Sequence, residues 1–382
     1  MLYFIKLAHA NFDQANRIVN LKGVFLIKSK QLFEIKGIYF MSLVTLTAAI
    51  IFSLCFSASV GQADVPLNQS FNILINKITG GAIGSLENIP KAFVNIVWQV
   101  RIPRILFAVF VGTALAVSGA VMQALVQNPL ADPYILGISS GSSLGATFAI
   151  LIGFGGGTIF SQFGLTFSAF LGAVLASLSV LLLSSIGGRM TSMKLVLSGS
   201  VISALFSSFS SIIVYFSNNA EGMKNVTFWA MGSLASSAWS KVPVLALVVS
   251  IVTVFFLFQH RILNTMLLGD EAATTLGIPL SKYRRFYMLL TSLLTGVVVA
   301  YSGMIGFIGL IIPHIVRGFI GSDHKRMLPM TALIGSLFLI WADVLSRVII
   351  ENVELPIGII TSIIGAPMFI YIIVKKGYNF GG

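Results

Sequence analysis

Apolar residues in this chain gather in long runs separated by short polar breaks, without the alternation of a half-buried strand or the one-sided stripe of a helix on a soluble core. The runs cover roughly 37–60, 104–127, 138–153, 163–186, 194–216, 242–259, 286–302, 306–320, 328–350 and 356–374. Most approach the ~20 residues that a helix needs to cross a hydrocarbon core. The pattern therefore predicts an all-α polytopic membrane protein of about ten transmembrane helices. Two further stretches, 68–100 and about 224–237, mix polar and apolar residues and are expected as helices lying along the outer surface.

Residues 1–36 interleave Lys6, Arg17, Lys22, Lys28, Lys30 and Lys36 with short apolar clusters. They read as a basic N-terminal extension, cytoplasmic or interfacial, ahead of a single membrane domain over 37–382. A cleaved signal peptide is the rival reading of the first run, since a basic flank precedes it and Ser57, Ala58 and Ser59 close it. A retained span is preferred because the run is longer than a usual signal core and the later topology works with it.

Composition agrees with the pattern. Of 382 residues 56% are hydrophobic and 9% charged, with a mean hydropathy of +0.95, more apolar surface than a soluble domain can bury. A net charge of +12 would suggest nucleic acid in a soluble chain, but here it reports topology, and no nucleic acid is expected. With both termini in the cytoplasm, that side receives the N-terminal cluster, Arg189, Lys194, the basic group within 261–285, Arg317, Lys325, Arg326, Lys375 and Lys376. Lys77, Lys91, Arg101, Arg104, Lys224, Lys241 and Arg347 remain outside and need their own account. The lone Cys55 excludes a disulfide framework, and His9, His260, His314 and His324 lack ligand spacing, so no metal site is expected.

The polar segment near 264–285 stands between two apolar runs. Within it, Leu268 to Gly277 reads LGDEAATTLG, and Glu271, Ala272, Ala273 and Gly277 have the spacing E-A-A-x-x-x-G. Small residues on adjacent turns of a short helix let another protein approach closely, although an ordinary loop helix has the same look. No G-x-x-x-x-G-K-[ST] occurs, so nothing in the chain cradles a nucleotide phosphate. Gly137, Ser139 and Gly141 match the G-x-S-x-G elbow of hydrolases, but no strand precedes them and no His/Asp partners accompany them.

Gly137, Gly141 and Gly145 recur every four residues and are expected to share a helix-packing face. Gly303, Gly306 and Gly309 with Pro313 predict a broken or closely packed opening of a helix. In the fifth run Ser200, Ser203, Ser207 and Ser211 place hydroxyls on one face, either lining a pathway or packing tightly. Asp343 is the clearest ionisable residue inside a run, with Arg347 one turn later, and an intrahelical pair is the economical reading. The shortage of further acids inside the runs weighs against a proton-coupled secondary transporter, the alternative from another class.

Several stretches carry a specific resemblance. RIPR from Arg101, SGAVMQALVQNPLADPYILGISSGSSLGA from Ser118, GDEAATTLGIP from Gly269, GMIGFIGLIIPHIVR from Gly303, GSDHKRMLP from Gly321, ADVLSR from Ala342 and ELPIGIITSIIGAPMFIYII from Glu354 follow one another in order. Together they are similar to the hallmark stretches of the FecCD or BtuC-like permeases, the transmembrane subunits of type II ABC importers. The resemblance implies a BtuC-like fold in the bacterial cell membrane and a transport role without enzymatic chemistry. It implies a second permease chain, identical or paralogous, with the pathway between the two. It implies two ATPase subunits that hold ATP and magnesium, so this chain binds no cofactor, and an extracytoplasmic substrate-binding protein that delivers cargo.

By the same resemblance Gly269, Asp270, Glu271, Ala272, Ala273 and Gly277 would dock in a cleft of the ATPase. Arg101 or Arg104, together with Arg347, would stand on the outer rim and pair with glutamates of the binding protein. The expected cargo is an iron chelate, an iron-siderophore, with haem or cobalamin as the alternative. Residues 1–36 extend beyond the usual beginning of the family.

Overall fold

The computed structural model describes residues 37–153, 159–186 and 190–376. The N-terminal extension expected over 1–36 lies outside them. By their contacts the residues fall into two units, 1–48 and 49–382. Of the first unit, the opening of helix α1 (Gly37–Ser59) is described. There Ser42 and Thr47 turn their hydroxyls back onto the carbonyls of Ile38 and Leu43, 2.8 Å each, so neither leaves a bare donor on an apolar helix.

The second unit continues with α2 (Leu67–Ile78) and α3 (Lys91–Asn95), which passes through a π-helical turn, Ile96–Arg101, directly into α4 (Ile102–Val126). A 3-10 turn, Pro133–Leu136, leads to α5 (Ile138–Leu151), followed by α6 (Ile159–Ser185), α7 (Ser192–Phe216) and α8 (Ala220–Ala230). Then come α9 (Val242–Phe258), α10 (His260–Met266), α11 (Asp270–Thr275), α12 (Leu280–Ser302), α13 (Ile308–Ile320), α14 (His324–Val348) and α15 (Ile357–Lys376). Every apolar run of the sequence lies on one of these helices. Among the described residues six helices are long and apolar enough to cross a bilayer alone, and α9 with α10, bent by 66°, makes a seventh. The chain is a multi-pass membrane protein. One boundary differs from expectation: the second span is helical from Lys91, not from 104, because the π turn carries α3 into α4 without a break.

Helix α4 is the centre of the bundle, and nearly all of its residues are buried. Its glycines explain how so many helices reach it. A Cβ on Gly112 would collide with the Gly335 carbonyl of α14, and one on Gly119 with the Gly309 backbone of α13. Backbones meet directly at both places, the arrangement that small residues permit between membrane helices. Thr113 and Ser336 add a hydroxyl contact of 2.7 Å between α4 and α14. The two helices run antiparallel, since Arg104 at the start of α4 meets Asp343 near the end of α14. At 1.5 Å per residue, each 25-residue helix separates its two ends by ~37 Å.

Helices α5 and α13, of 14 and 13 residues, reach only ~20 Å, short of a ~30 Å core by themselves. Each starts at irregular backbone that must be satisfied inside the protein. The two breaks serve one another: the Tyr134 hydroxyl, from the turn before α5, donates to Ile305 O at 3.1 Å and accepts from Ile305 N at 3.2 Å in the break before α13. That break, at 303–307, is the one expected from Gly303, Gly306 and Gly309.

Candidate functional site

At one end of the α4–α14 pair the sequence places three arginines. All are buried, Arg101 at 4%, Arg104 at 6% and Arg347 at 3% exposure. Arg104 Nε donates to Asp343 Oδ1 at 2.7 Å, and its Nη1 donates to Glu354 Oε2 at 2.8 Å. Arg347 Nε stands 3.1 Å from Asp343 Oδ2 as an ion-pair contact, while its N–H is directed at the Asp343 main-chain oxygen, 3.3 Å away. Its two terminal nitrogens donate to Val60 O and Ser57 Oγ, 2.7 Å each. Arg101 donates to Ala58 O at 2.8 Å, to Ser59 O at 2.7 Å and to Ala63 O.

Two arginines thus cap the carbonyls at the end of α1, where a helix lacks internal donors. An unpaired charge at this depth costs several kcal/mol, and each guanidinium has found an acceptor within the chain. The Asp343–Arg347 pair expected from the sequence is present, but Asp343 is shared with Arg104. Among these side chains Glu354, 41% exposed, reaches the surface.

The opposite end holds the segment 264–285. Helix α9 bends into α10, whose Leu263 and Met266 are fully buried. Helix α11 is bracketed by Gly269 and Gly277, with φ of 96° and 76°, a left-handed backbone that a side chain would strain, and open space surrounds both. Ala273 faces inward at 0% exposure, whereas Glu271, Ala272, Thr274 and Thr275 face outward. Leu268 and Leu276, each 63% exposed, flank that outward face with apolar surface. The two alanines that the sequence offers together therefore point in opposite directions.

Polar clasps hold both sides of α11. Before it, Asn264 of α10 donates from Nδ2 to Asp323 Oδ1 at 2.8 Å, and its Oδ1 accepts from the backbone N of His324 at 2.9 Å and lies 2.8 Å from His324 Nδ1. Asp323 also caps α14 through Lys325 N. Burial pushes the Asp323 carboxyl up, but the Asn264 amide, the Lys325 N–H and the Arg326 charge more than offset this and hold it below the usual range. Gln127, just past α4, donates to Met266 O at 3.1 Å. After α11, the buried Arg284 of α12 donates to Leu125 O at the end of α4, to Met190 O and to Ser192 Oγ, at 3.2–3.3 Å. Sequence reading missed these residues. Their only local signal is a polar side chain at a helix end, and their partners lie far along the chain.

The serine face of α7 is uncovered. Ser200, Ser207 and Ser211 are exposed and Ser203 is half-buried, and only 17% of the helix's most apolar stretch is buried. Ser200 and Ser211 bond back to Val196 O and Ser207 O at 3.1 and 2.9 Å, so their hydroxyls need no outside partner. The glycines expected to share a packing face divide in two. Gly141 and Gly145 lie against α6, where a Cβ would strike the Gly172 and Ser168 carbonyls. Gly137 instead has φ 72° and ends the 3-10 turn; a Cβ there would make only ordinary contact with Ile202 and Ser203.

The chain matches the FecCD transport family over residues 49–375. It is 37% identical over 321 residues to the hemin transport system permease of Yersinia pestis, covering 83% of this chain and 92% of that one. It is 38% identical over 280 residues to the vitamin B12 import system permease of Citrobacter koseri, covering 73% and 83%. It is 34% identical over 337 residues to the molybdate import system permease of Haemophilus influenzae, covering 87% and 96%. A solved inward-facing structure, described provisionally as a metal-chelate type ABC transporter, superposes with a TM-score of 0.74 at 32% identity over 88% of this chain and 99% of that one.

Proposed function

The chain belongs to the FecCD transport family as the permease subunit of an ABC importer, and from that premise we propose that it passes an iron-siderophore across the cell membrane between two permease chains. The observation that carries the cargo reading is the α7 face. From Ser192 to Phe216 it offers hydroxyls and methyls but no carboxylate, imidazole or thiolate. A bare metal ion would need such ligands, whereas a metal already enclosed in an organic chelate needs only a weakly interacting wall. Haem and cobalamin, the cargoes named for two relatives, suit the same wall and are the runner-up.

In this reading α7 faces the second permease chain, identical or paralogous, and Ser200, Ser203, Ser207 and Ser211 line the pathway. The α11 end is cytoplasmic, as are both termini, and Glu271, Ala272 and the glycine-bracketed turn meet one of two ATPase subunits, which hold ATP and magnesium. The arginine end faces outward. Arg101, Arg104 and Arg347 are balanced there by Asp64, Asp343 and Glu354, and in this reading the binding protein meets the arginines through carboxylates of its own. Reconstituted complex supplied with its binding protein should accumulate a labelled ferric siderophore in an ATP-dependent manner. Accumulation of haem, cobalamin or molybdate with no ferric siderophore uptake would overturn the cargo reading.

A further inference from the structure

We propose that Asn264 is a positioning residue for coupling, the clasp through which movement of the α10–α11 segment is delivered to α14 and along it to the arginine end. The inference rests on α11 being the ATPase contact. Three observations carry it. First, α11 alone has little hold on the bundle: it is six residues long, bracketed by two glycines in open space, and buries Ala273. Displacement of such a segment must be passed on by the helix before it or the helix after it.

Second, the Asn264 side chain uses both ends of its amide on the start of α14, as donor to Asp323 and as acceptor for His324. His324 is 1% exposed, so that half of the clasp is made in the interior, while the Asn264–Asp323 half lies at the surface. The Asp323 acceptor also takes the Lys325 N–H at 3.0 Å, so the same carboxylate ties Asn264 to the first turn of α14. Third, α14 runs from His324 to Val348 with Pro329 inside its second turn, and beyond that proline it is locked to α4 by backbone-to-backbone packing at Gly112 and Gly335. A shift at His324 that passes the proline turn reappears at Asp343 and Arg347, about 29 and 35 Å along the helix.

Asn264→Leu removes both halves of the clasp from a half-buried site. Reconstituted with its ATPase and binding protein, this variant should assemble and hydrolyse ATP at the unstimulated rate of the wild type. Stimulation by the binding protein and transport should each fall about tenfold, within the range that residues carrying coupling contribute. Asn264→Asp should lose stimulation too, because it sets two carboxylates together. Adding Asp323→Asn to it restores one carboxylate and one amide with their places exchanged, and should recover most of the loss.

Full stimulation and transport in Asn264→Leu would overturn the proposal. So would loss of the ATPase from the Asn264→Leu complex, which would make the clasp a support for docking only. Failure of the exchanged pair to recover while Asn264→Leu behaves as expected would assign the effect to α10 packing and remove the clasp. A wild-type chain that binds no ATPase at all would instead remove the functional reading beneath it.

Discussion

Helices α4 and α7 are both 25 residues long and rich in small side chains, yet they have opposite surroundings. The span containing α4 has 78% of its most apolar stretch buried, and α7 has 17%. In α4 the small residues are chiefly Gly and Ala, set where another helix's backbone touches: Gly112 against Gly335 and Gly119 against Gly309. In α7 they are chiefly Ser, with hydroxyls folded back onto their own helix and no neighbour from this chain over most of their length. Small residues thus serve close packing in one helix, while in the other Ser200, Ser208 and Ser211 satisfy their own hydroxyls and can face water, lipid or a second chain. The first helix belongs to the fold and the second to assembly.

The sharpest test of this division is a paired substitution. Gly119→Leu places a large side chain where the Gly309 backbone lies, and backbone cannot yield as a side chain does. Overpacking usually costs about 1–3 kcal/mol, and the cost here should exceed that range and leave no monodisperse protein in detergent. Ser207→Leu changes an exposed position and should shift unfolding by no more than about 0.5 kcal/mol. If both variants purify with the same thermal midpoint, the division between a structural and an assembling helix is wrong.

The next effect in size belongs to the arginine end, which shares the buried character of α4. Asp343 is 1% exposed and accepts ion-pair contacts from both Arg104 and Arg347. Asp343→Asn keeps the shape, leaves Arg347 without its carboxylate and leaves Arg104 with Glu354 alone. Breaking a buried pair in this way costs about 3–5 kcal/mol, so the midpoint in a thermal scan should fall clearly even with uptake not measured. A midpoint within experimental scatter of the wild type would mean that the cluster is hydrated and not buried.

On α7 the expected change is in function and not in stability. Cysteines at Ser203 and Ser207, in a chain lacking Cys55, should react with a polar thiol reagent in at least one nucleotide state of the assembled transporter. Modification at neither position in any state would place the face against lipid or protein and remove it from the pathway.

The sequence made the helices legible because an apolar run is a local signal, and each run became a helix. It did not separate α4 from α7, since a run of apolar and small residues reads alike whether its neighbour is the same chain, another chain or lipid. The arginine motifs were also visible, but the partners of Arg104 lie 239 and 250 residues further on, so a charge that seemed free was already paired. Helix α11 was recognisable from its glycines and short polar stretch. Which of Ala272 and Ala273 turns inward was not, because six residues make too few turns for periodicity to choose a face. Asn264 carried no signal at all until α10 and α14 were seen together.

The smallest expected effect separates the two carboxylates bound by Arg104. Glu354 lies as close to Arg104 as Asp343 does, 2.8 against 2.7 Å, but its side chain is 41% exposed against 1%. Water screens such a pair, and exposed pairs contribute roughly 0–1 kcal/mol. Glu354→Gln should therefore leave the thermal midpoint almost unchanged, in contrast to Asp343→Asn. It also removes one of the three negative charges, Asp64, Asp343 and Glu354, that balance the three arginines, and so leaves the cluster net positive. If the binding protein presents an acidic patch to this end, the variant should bind it at least as tightly as the wild type, and Arg104→Gln less tightly. Both differences should shrink as salt rises, because the Debye length is already about 10 Å at 0.1 M. The measurement is affinity of the purified complex for its binding protein at two salt concentrations, with thermal stability followed in parallel. Identical affinities and salt slopes in stably folded Glu354→Gln and Arg104→Gln would leave these residues as a brace for α1, α4 and α14 and end their claim on docking.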